Sequence, residues 1–401
     1  MSTSFAAGPP GLLRALNARA VLETVAADGP LTRSAVAAAT QLSKPTVAAC
    51  LATLLERGAV CEDGAVSGRK GPAATLYRIA PEAVWAIGVD IGHDRVRAAI
   101  VDAAGEQRGQ LDVAVQRTRR TLTTQVLDLC ERLAAAAGTT VPEVRHVVVG
   151  VPGAVGDDGS LAFADALPDD GTGLVAALRE RVPAPITFDN DVNLAAVAEL
   201  DEHPEVEDFA LVSVGAGIGA GLVIGGRLHR GVGGAAGEVG FLPGCLPHPE
   251  HAPQMLEHEV GGEVVTRLAR GAGLAATDAR AVFDQARSGD PAAVAVVDTT
   301  ARGIAFAVAC LVAVVNPSRV VLGGSVGSNA DLLLDPVRTH LSTFTTLPVP
   351  VVASSVGAQA VLRGSLATAA RLARESAFAT FASPASDPHL PAPQHLVAQE
   401  F

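Results

Sequence analysis

A glycine-rich segment, SVGAGIGAGLVIGG at residues 213–226, has the composition of a loop that holds a phosphate. Glycines such as Gly215 and Gly217 let the backbone approach a phosphate closely, because they carry no side chain. Glycines in strand turns also commonly serve backbone geometry alone. The segment therefore raises the question whether the chain binds ATP and transfers a phosphoryl group.

A second segment, WAIGVDIGHDRVRAAIVDAAGEQ, begins at Trp85 and carries a carboxylate beside a turn. Two apolar runs joined by a short polar stretch predict a β-hairpin. Asp90 lies at the end of the first run, and Gly92 lies in the turn. The hairpin is therefore expected to present Asp90 at one edge of a sheet.

The first 80 residues predict three helices and a wing. Apolar residues recur at helical spacing over residues 12–27, and the following DGP ends the pattern. Thr32 can cap a second helix, and Ser43 can cap a third that runs to Arg57. Gly58 closes the third helix.

This order of helix, tight turn, helix and glycine-flanked basic wing is typical of a winged helix-turn-helix DNA-binding domain. The third helix would enter the major groove, and the wing would reach a phosphate or the minor groove. The side chains expected to contact DNA are Ser43, Lys44, Thr46, Arg69 and Lys70. The alternative is a three-helix packing or dimerisation module whose charges are only solvated.

Charge is distributed unevenly along the chain. Residues 1–80 carry a net charge of +3, whereas the rest of the 401 residues carry −15, for a total of −12. A small basic head on an acidic body suits a protein in which only the head contacts nucleic acid.

Length and composition predict a globular protein of two or three domains. The apolar stretch GIAFAVACLVAVV, residues 303–315, is shorter than the roughly 20 residues of a membrane span, so we interpret it as part of a buried helix. Five scattered cysteines and an N-terminus without a signal-peptide pattern predict a cytoplasmic protein with no membrane partner.

Several motifs together resemble the ROK family of sugar kinases and sugar-responsive repressors. The matching blocks, in order, are the hairpin at Asp90, GVPGAVGDDG, FDNDVNLAAVAE, residues 213–240 and NPSRVVLGGSVG. The resemblance implies an α/β fold, with an N-terminal winged helix-turn-helix followed by a two-lobed actin-like ATPase body. We place the DNA-binding domain at residues 11–80, the body at 84–375 and a disordered tail at 376–401.

The phosphate-binding segments depart from the pattern of the family's kinases. Where those kinases have roughly D-x-G-G-T-K, this chain has DIGHDR, with His93 for a glycine and Asp94 for the threonine. Ala216 replaces the threonine of the second loop, which removes a hydroxyl donor. Phosphoryl transfer depends on positioning and charge neutralisation, so the vestigial loops at Asp90, Gly92, Gly215 and Gly217 are not expected to bind ATP or to catalyse transfer.

The resemblance also implies a sugar site. It assigns Asn190 to a sugar hydroxyl, Asp191 to the position of the family's general base, and Glu238 and Glu257 to further hydroxyls. Phe241 and Ala166 replace two of the family's polar contacts, so the ligand is expected to differ from the usual hexose. The alternative is that Asn190, Asp191 and Asn193 only cap a helix.

The family's zinc site, a histidine with three cysteines, is largely replaced. Cys245 with His248, His251 and His258 is a permissible tetrahedral set, but its spacing matches no standard structural zinc motif. We therefore predict an exposed polar loop with no metal, and no cofactor in the protein.

These observations predict a transcriptional regulator, most simply a repressor, that binds a double-stranded DNA operator as a homodimer or a dimer of dimers and senses a sugar or related metabolite. One alternative is an active ATP-dependent sugar kinase with a DNA-binding head. The other is a ligand-independent regulator controlled by a protein partner.

Overall fold

The computed structural model describes residues 10–66, 73–116, 118–156, 158–164, 166–171, 173–244 and 255–382. These residues form two compact units. The first comprises residues 10–85, 102–106 and 372–382, and the second comprises residues 86–101 and 107–371.

The first unit contains three helices and a small three-stranded antiparallel sheet, whose middle strand is the last of the three in the chain. Its elements are α1 (Pro10–Asp28), β1 (Leu31–Thr32), α2 (Arg33–Thr40), α3 (Lys44–Glu56), β2 (Val60–Val66) and β3 (Ala74–Ile79). Their apolar faces meet in a core that includes Leu22, Val36, Leu51, Leu54 and Tyr77. The predicted three helices and the two strands of a wing are confirmed.

Capping residues set the helix boundaries in this unit. The Thr32 side chain accepts a hydrogen bond from the Ala35 amide at the start of α2, and Ser43 caps α3. Gln41, between the two helices, has a φ of 57°, a left-handed conformation that turns the chain sharply. The tight turn and both predicted caps are confirmed.

The second unit contains two five-stranded sheets with the same plan. The first has the order β6 (Gln107–Ala114), β5 (Arg95–Val101), β4 (Trp85–Ile91), β7 (Val144–Val151), β10 (Ile186–Asn190). The second has the order β13 (Arg227–His229), β12 (Ile218–Ile224), β11 (Phe209–Val214), β14 (Arg319–Gly323), β15 (Val351–Ala353). Each combines a three-stranded antiparallel part with parallel strands, as the pairs β10–β7 and β11–β14 show. This repeated plan is the two-lobed architecture that the sequence predicted.

The elements of the first sheet and its helices are β4 (Trp85–Ile91), β5 (Arg95–Val101), β6 (Gln107–Ala114), α4 (Arg119–Ala136), β7 (Val144–Val151), α5 (Leu174–Arg181), β10 (Ile186–Asn190) and α6 (Asp191–Glu202). A two-stranded ribbon of β8 (Ala154–Val155) and β9 (Leu161–Ala162) follows β7 in the chain. The predicted hairpin is formed by β4 and β5.

The elements of the second sheet and its helices are β11 (Phe209–Val214), β12 (Ile218–Ile224), β13 (Arg227–His229), α7 (Gly262–Gly271), α8 (Ala279–Arg287), α9 (Pro291–Val315), β14 (Arg319–Gly323), α10 (Gly324–Gly327), α11 (Ala330–Phe344) and β15 (Val351–Ala353). The last helix, α12 (Ala360–Ala382), contacts the first sheet, where Ser365 Oγ donates to the Val89 carbonyl at 3.2 Å. Helix α9 has the length and hydropathy of a membrane span, but 61% of its most apolar window is buried. It lies in the hydrophobic core with α11, as expected for the buried helix predicted there.

Helix α12 extends further than the sequence predicted. Residues 376–382 were assigned to a disordered tail, but they are helical, and Ala377 and Phe378 are buried. These apolar side chains stabilise the helical end, where the guanidinium of Arg57 donates to the Phe381 carbonyl within the first unit. The remaining tail, residues 383–401, lies outside the described residues.

Candidate functional site

The N-terminal end of α3 carries the residues predicted to contact DNA. Ser43 Oγ accepts a hydrogen bond from the Thr46 amide at 3.3 Å and lies 2.7 Å from Thr46 Oγ1. Lys44 is exposed beside this cap. The two hydroxyls therefore stabilise the helix end, and Lys44 presents a positive charge where the backbone amides of the first turn also point outward.

The two wing strands pair through a register shift between Glu62 and Ala65. An ion pair of 3.0 Å joins Arg78 Nε to Asp63 Oδ1 across the strands. Arg69 and Lys70, at the predicted wing tip, lie outside the described residues. Their contact with DNA stays a prediction.

Asn190 lies at the junction between β10 and α6, in the second unit. Its Oδ1 accepts from the Asn193 amide at 2.9 Å, and its Nδ2 donates to the Gly153 carbonyl at 3.0 Å. The structure thus uses Asn190 as the helix cap that the sequence left open as an alternative. A contact with a sugar hydroxyl stays a prediction.

An ion pair that the sequence did not predict supports this junction. Arg230 Nη2 donates to Asp189 Oδ2 at 2.6 Å, and Asp189 Oδ1 accepts from the Asn190 amide at 2.9 Å. The Asp189 carboxylate is buried, so it requires such partners. The sequence could have indicated a partner for Asp189, because an acidic residue inside a buried strand needs a cation or a hydrogen-bond donor.

Asp191, the first residue of α6, lies in a cluster of carboxylates. Burial, then the charge of Asp90 and that of Glu238, raise the pKa of Asp191 to about 7. Its Oδ1 accepts from the Val192 amide at 2.8 Å, which opposes that rise only in part. A carboxyl with this pKa can hold or accept a proton near neutral pH, as a general base must.

Glycines in β12 allow the two halves of this cluster to approach. A Cβ at Gly221 would lie 2.6 Å from Ala196 Cβ and 2.8 Å from the Val192 carbonyl oxygen. The strand therefore packs directly against the first turns of α6. The Ala220 amide on the same strand donates to the Gly237 carbonyl at 2.8 Å, which places the adjacent Glu238 near Asp191.

Asp90 forms an ion pair with a neighbour on β5. Arg97 Nη1 donates to Asp90 Oδ2 at 3.0 Å, and Arg97 Nε lies 3.5 Å from Asp112 Oδ2. Burial raises the pKa of Asp90, while the Arg97 charge and hydrogen bond lower it. Because Arg97 supplies positive charge directly to this carboxylate, Asp90 has a protein-borne counter-ion.

Glu238 and Glu257 complete the cluster. Burial raises the pKa of Glu238, and the charge of Glu257 raises it further. A Cβ at Gly240 would lie 3.4 Å from Glu257 Cβ, which shows how closely the two short turns at Glu238 and Glu257 pack. The structure therefore brings Asp90, Asp191, Glu238 and Glu257 close together, and the contact of any of them with a ligand stays a prediction.

The glycine-rich loops are hairpin turns. Gly92 donates its amide to the Arg95 carbonyl at 2.9 Å, and Gly215 donates to the Gly217 carbonyl at 2.9 Å. A Cβ at Gly217 would meet no atom within 4 Å among the described residues. Packing therefore does not require glycine there, and a phosphate-binding origin stays a prediction.

The predicted loss of the zinc site is not tested by the structure. Cys245, His248 and His251 lie outside the described residues, and His258 is exposed in a short 3₁₀ turn. Among the residues that the structure does describe, no group of three histidine, cysteine or acidic side chains has the arrangement of a metal site.

Two exposed phenylalanines, Phe163 and Phe241, lie near the carboxylate cluster and were not recognised as a pair from the sequence. Their ring centroids are 4.7 Å apart with an interplanar angle of 56°. They come from distant parts of the chain, so the pairing depends on the tertiary fold.

Comparisons with known proteins agree with the two units. The model of the ROK family matches residues 86–372, and that of the IclR helix-turn-helix domain matches residues 14–64. The xylose repressor of Caldicellulosiruptor bescii is 25% identical over 383 residues, covering 89% of this chain and 96% of that protein. The glucokinase of Halalkalibacterium halodurans is 27% identical over 283 residues, covering 65% of this chain and 86% of that protein.

The fold is similar to that of a solved ROK family transcriptional regulator described as a homologue of the Escherichia coli MLC protein. The TM-score is 0.71 at 18% identity, with 92% of this chain and 98% of that chain covered. The family assignment rests on the family model, which matches most of the chain. The two sheets of one repeated plan and the carboxylate cluster at the start of α6 agree with it. The chain belongs to the ROK family and carries an N-terminal helix-turn-helix domain.

Proposed function

We propose that this protein is a DNA-binding transcriptional repressor that responds to a sugar. The observation that carries the proposal is the capped helix α3, which presents Lys44 at its N-terminal end in a helix-turn-helix unit joined to a ROK body. The relative that matches nearly the whole chain, head and body together, is named a xylose repressor.

The effector site that we propose is the cluster of Asp191, Glu238 and Glu257 beside Asn190. Carboxylates and amides accept hydrogen bonds from hydroxyl groups, so several of them converging in one place suit a polyhydroxylated ligand. Such a ligand regulates DNA binding only if it binds one conformation of the protein better than another.

We further propose that the body transfers no phosphoryl group. The ion pair of Arg97 with Asp90 supports this, because it uses the carboxylate that the family's kinases use to organise Mg²⁺. Asp94 adds a second negative charge in the β4–β5 turn, and its side chain is exposed. The exposed Asp94 carboxylate would repel ATP in a site that must neutralise its phosphates.

A sugar kinase with a regulatory head is the second candidate. The raised pKa of Asp191 favours it, because a general base near neutral pH is what transfer to a sugar hydroxyl requires. ATP-dependent phosphorylation of a sugar that Asp191→Asn abolishes would establish this candidate in place of a repressor without catalysis.

We propose that the protein acts as a homodimer, because two copies of the head would read an inverted repeat. The test is a genome-wide footprint of the purified protein at physiological salt. Discrete inverted repeats support the proposal. Diffuse binding that disappears as salt is raised contradicts it, since such binding reports only phosphate contacts.

Lys44→Ala provides the matched variant for this test. Removing one phosphate contact is expected to weaken binding across all sites and to lower the salt slope by about 1. Arg19→Ala is the control, because Arg19 is an exposed arginine paired with Glu23 on α1 and not among the residues assigned to DNA contact. Equal affinity of Lys44→Ala and the unaltered protein contradicts the assigned surface.

A further inference from the structure

The Phe163–Phe241 pair is exposed although aromatic rings are favoured in protein interiors. Phe163 is 54% exposed and Phe241 is 41% exposed. Phe163 also has a φ of 56°, a left-handed conformation that a bulky residue rarely adopts. The chain therefore presents this ring to solvent in an unfavourable backbone conformation, as is common at binding sites.

Phe163 is linked to Asn190 through contacts with the backbone of Gly153. It follows Ala162, the last residue of β9, and a Cβ at Gly153 would lie 2.8 Å from the Ala162 carbonyl oxygen. The carbonyl of the same Gly153 accepts from Asn190 Nδ2. The turn that carries Phe163 thus packs against the backbone that Asn190 holds.

Phe241 lies one turn from Glu238. Its amide donates to the Glu238 carbonyl at 3.2 Å, and the preceding Gly240 packs against Glu257. The aromatic pair therefore joins both sides of the carboxylate cluster, one ring near Asn190 and the other near the two glutamates.

Two more exposed apolar side chains come from neighbouring turns. Val232 is fully exposed, and its turn packs on β8, because a Cβ at Gly234 would lie 2.0 Å from the Val155 carbonyl oxygen. Met255 is 40% exposed and pairs through a β-bridge with Pro243, two residues beyond Phe241.

We propose that Phe163 and Phe241 form an apolar wall of the effector site, and that the effector is a sugar bearing an aryl or similarly apolar substituent. This inference rests on the proposed sugar-responsive function and specifies its ligand class. Small-molecule sites combine aromatic walls with a few convergent polar groups, and that combination occurs here. Hydroxyls would bind the carboxylates, and the substituent would cover the rings, which prefer stacked or edge-to-face contact with another ring.

Matched glycosides test this inference directly. The probes are the phenyl and methyl β-glycosides of glucose, xylose and N-acetylglucosamine, with affinities for the full-length protein measured by titration calorimetry. Stacking and burial of one phenyl ring predict that, for the sugar that binds, the phenyl glycoside binds about tenfold more tightly than the methyl glycoside.

Phe163→Gly and Phe241→Leu are the informative variants. Glycine adopts a positive φ freely, so Phe163→Gly removes the ring without straining the backbone. In both variants the preference for the phenyl over the methyl glycoside is expected to fall to about twofold or less. Leu347→Ala, which removes an exposed apolar side chain outside the site, is expected to leave the preference unchanged.

The outcomes separate this inference from the function on which it rests. Equal binding of phenyl and methyl glycosides overturns the apolar wall and leaves the sugar-responsive function standing. A phenyl preference that persists in both variants also overturns it. Binding of none of the glycosides overturns both the wall and the sugar site.

Discussion

Replacement of Asp191 by asparagine should stabilise the protein, and the gain should grow as the pH rises. Asparagine keeps an oxygen that can accept from the Val192 amide but carries no charge to bury beside Asp90 and Glu238. Because this carboxyl has a raised pKa, its proton is held more tightly in the folded protein than in the unfolded chain.

The sign and size of this stability change follow from the linkage between proton binding and folding. Below about pH 4 both states hold the proton, so Asp191 does not alter the free energy of unfolding. Between there and about pH 7 the unfolded chain loses the proton first, and stability falls. At about 1.4 kcal/mol per pKa unit the full penalty would be about 4 kcal/mol, and partial exposure of the side chain reduces it to about 1 to 2 kcal/mol.

Denaturant titrations at several pH values between about 5 and 8 measure this effect. The free energy gained by Asp191→Asn should be larger by about 1 kcal/mol at the upper end of that range. Asp201→Asn, an exposed position on the same helix, is the control and should change stability little at either pH. A gain that is independent of pH would refute the reasoning, because it would show that Asp191 is not held in a protonated, desolvated state.

Three further substitutions test individual contacts by the same denaturant titrations. Arg97→Met should cost about 3 to 5 kcal/mol by leaving Asp90 buried without a partner, and adding Asp90→Asn should recover part of that loss. Ser43→Ala should cost about 1 kcal/mol by removing the cap of α3. Gly221→Ala should cost about 1 to 3 kcal/mol, because its methyl group would collide with the Val192 carbonyl. No loss in any one of these variants would contradict the contact concerned.

Local sequence signals predicted the parts of this protein that depend on neighbouring residues. Thr32 and Ser43 were recognised as caps because their hydroxyls bond to amides three residues along the chain. Helix α9 was recognised from its continuous apolar composition. For the two caps the partner amide lies within one helical turn, so the spacing in the sequence fixes the geometry.

The missed features join residues that only the tertiary fold brings together. Asp189 and Arg230 are 41 residues apart in the chain. Asp189 precedes α6 and Arg230 follows β13, and the two residues meet because α6 packs against β12. Phe163 and Phe241 also meet only in the folded chain. Each lies in an irregular turn, where the sequence has no apolar periodicity from which the position of the side chain could be predicted. The end of α12 was missed because Ala377 and Phe378 are buried by tertiary contacts, which propensity does not report.

The charges of the carboxylate cluster also bear on whether the proposed effector can carry a negative charge. Arg97 is ion-paired with Asp90, but the charges of Asp90 and Glu238 still raise the pKa of Asp191, and the charge of Glu257 raises the pKa of Glu238. A ligand that carried a phosphate against these groups would add a further negative charge, at about 1 kcal/mol or more for each close carboxylate. A neutral sugar can instead donate hydroxyl hydrogens to the same oxygens. The effector is therefore expected to be uncharged, so a sugar should bind at least tenfold more tightly than its 6-phosphate in calorimetric titration. Tighter binding of the phosphate would mean that positive groups outside this cluster, not the four carboxylates, select the ligand.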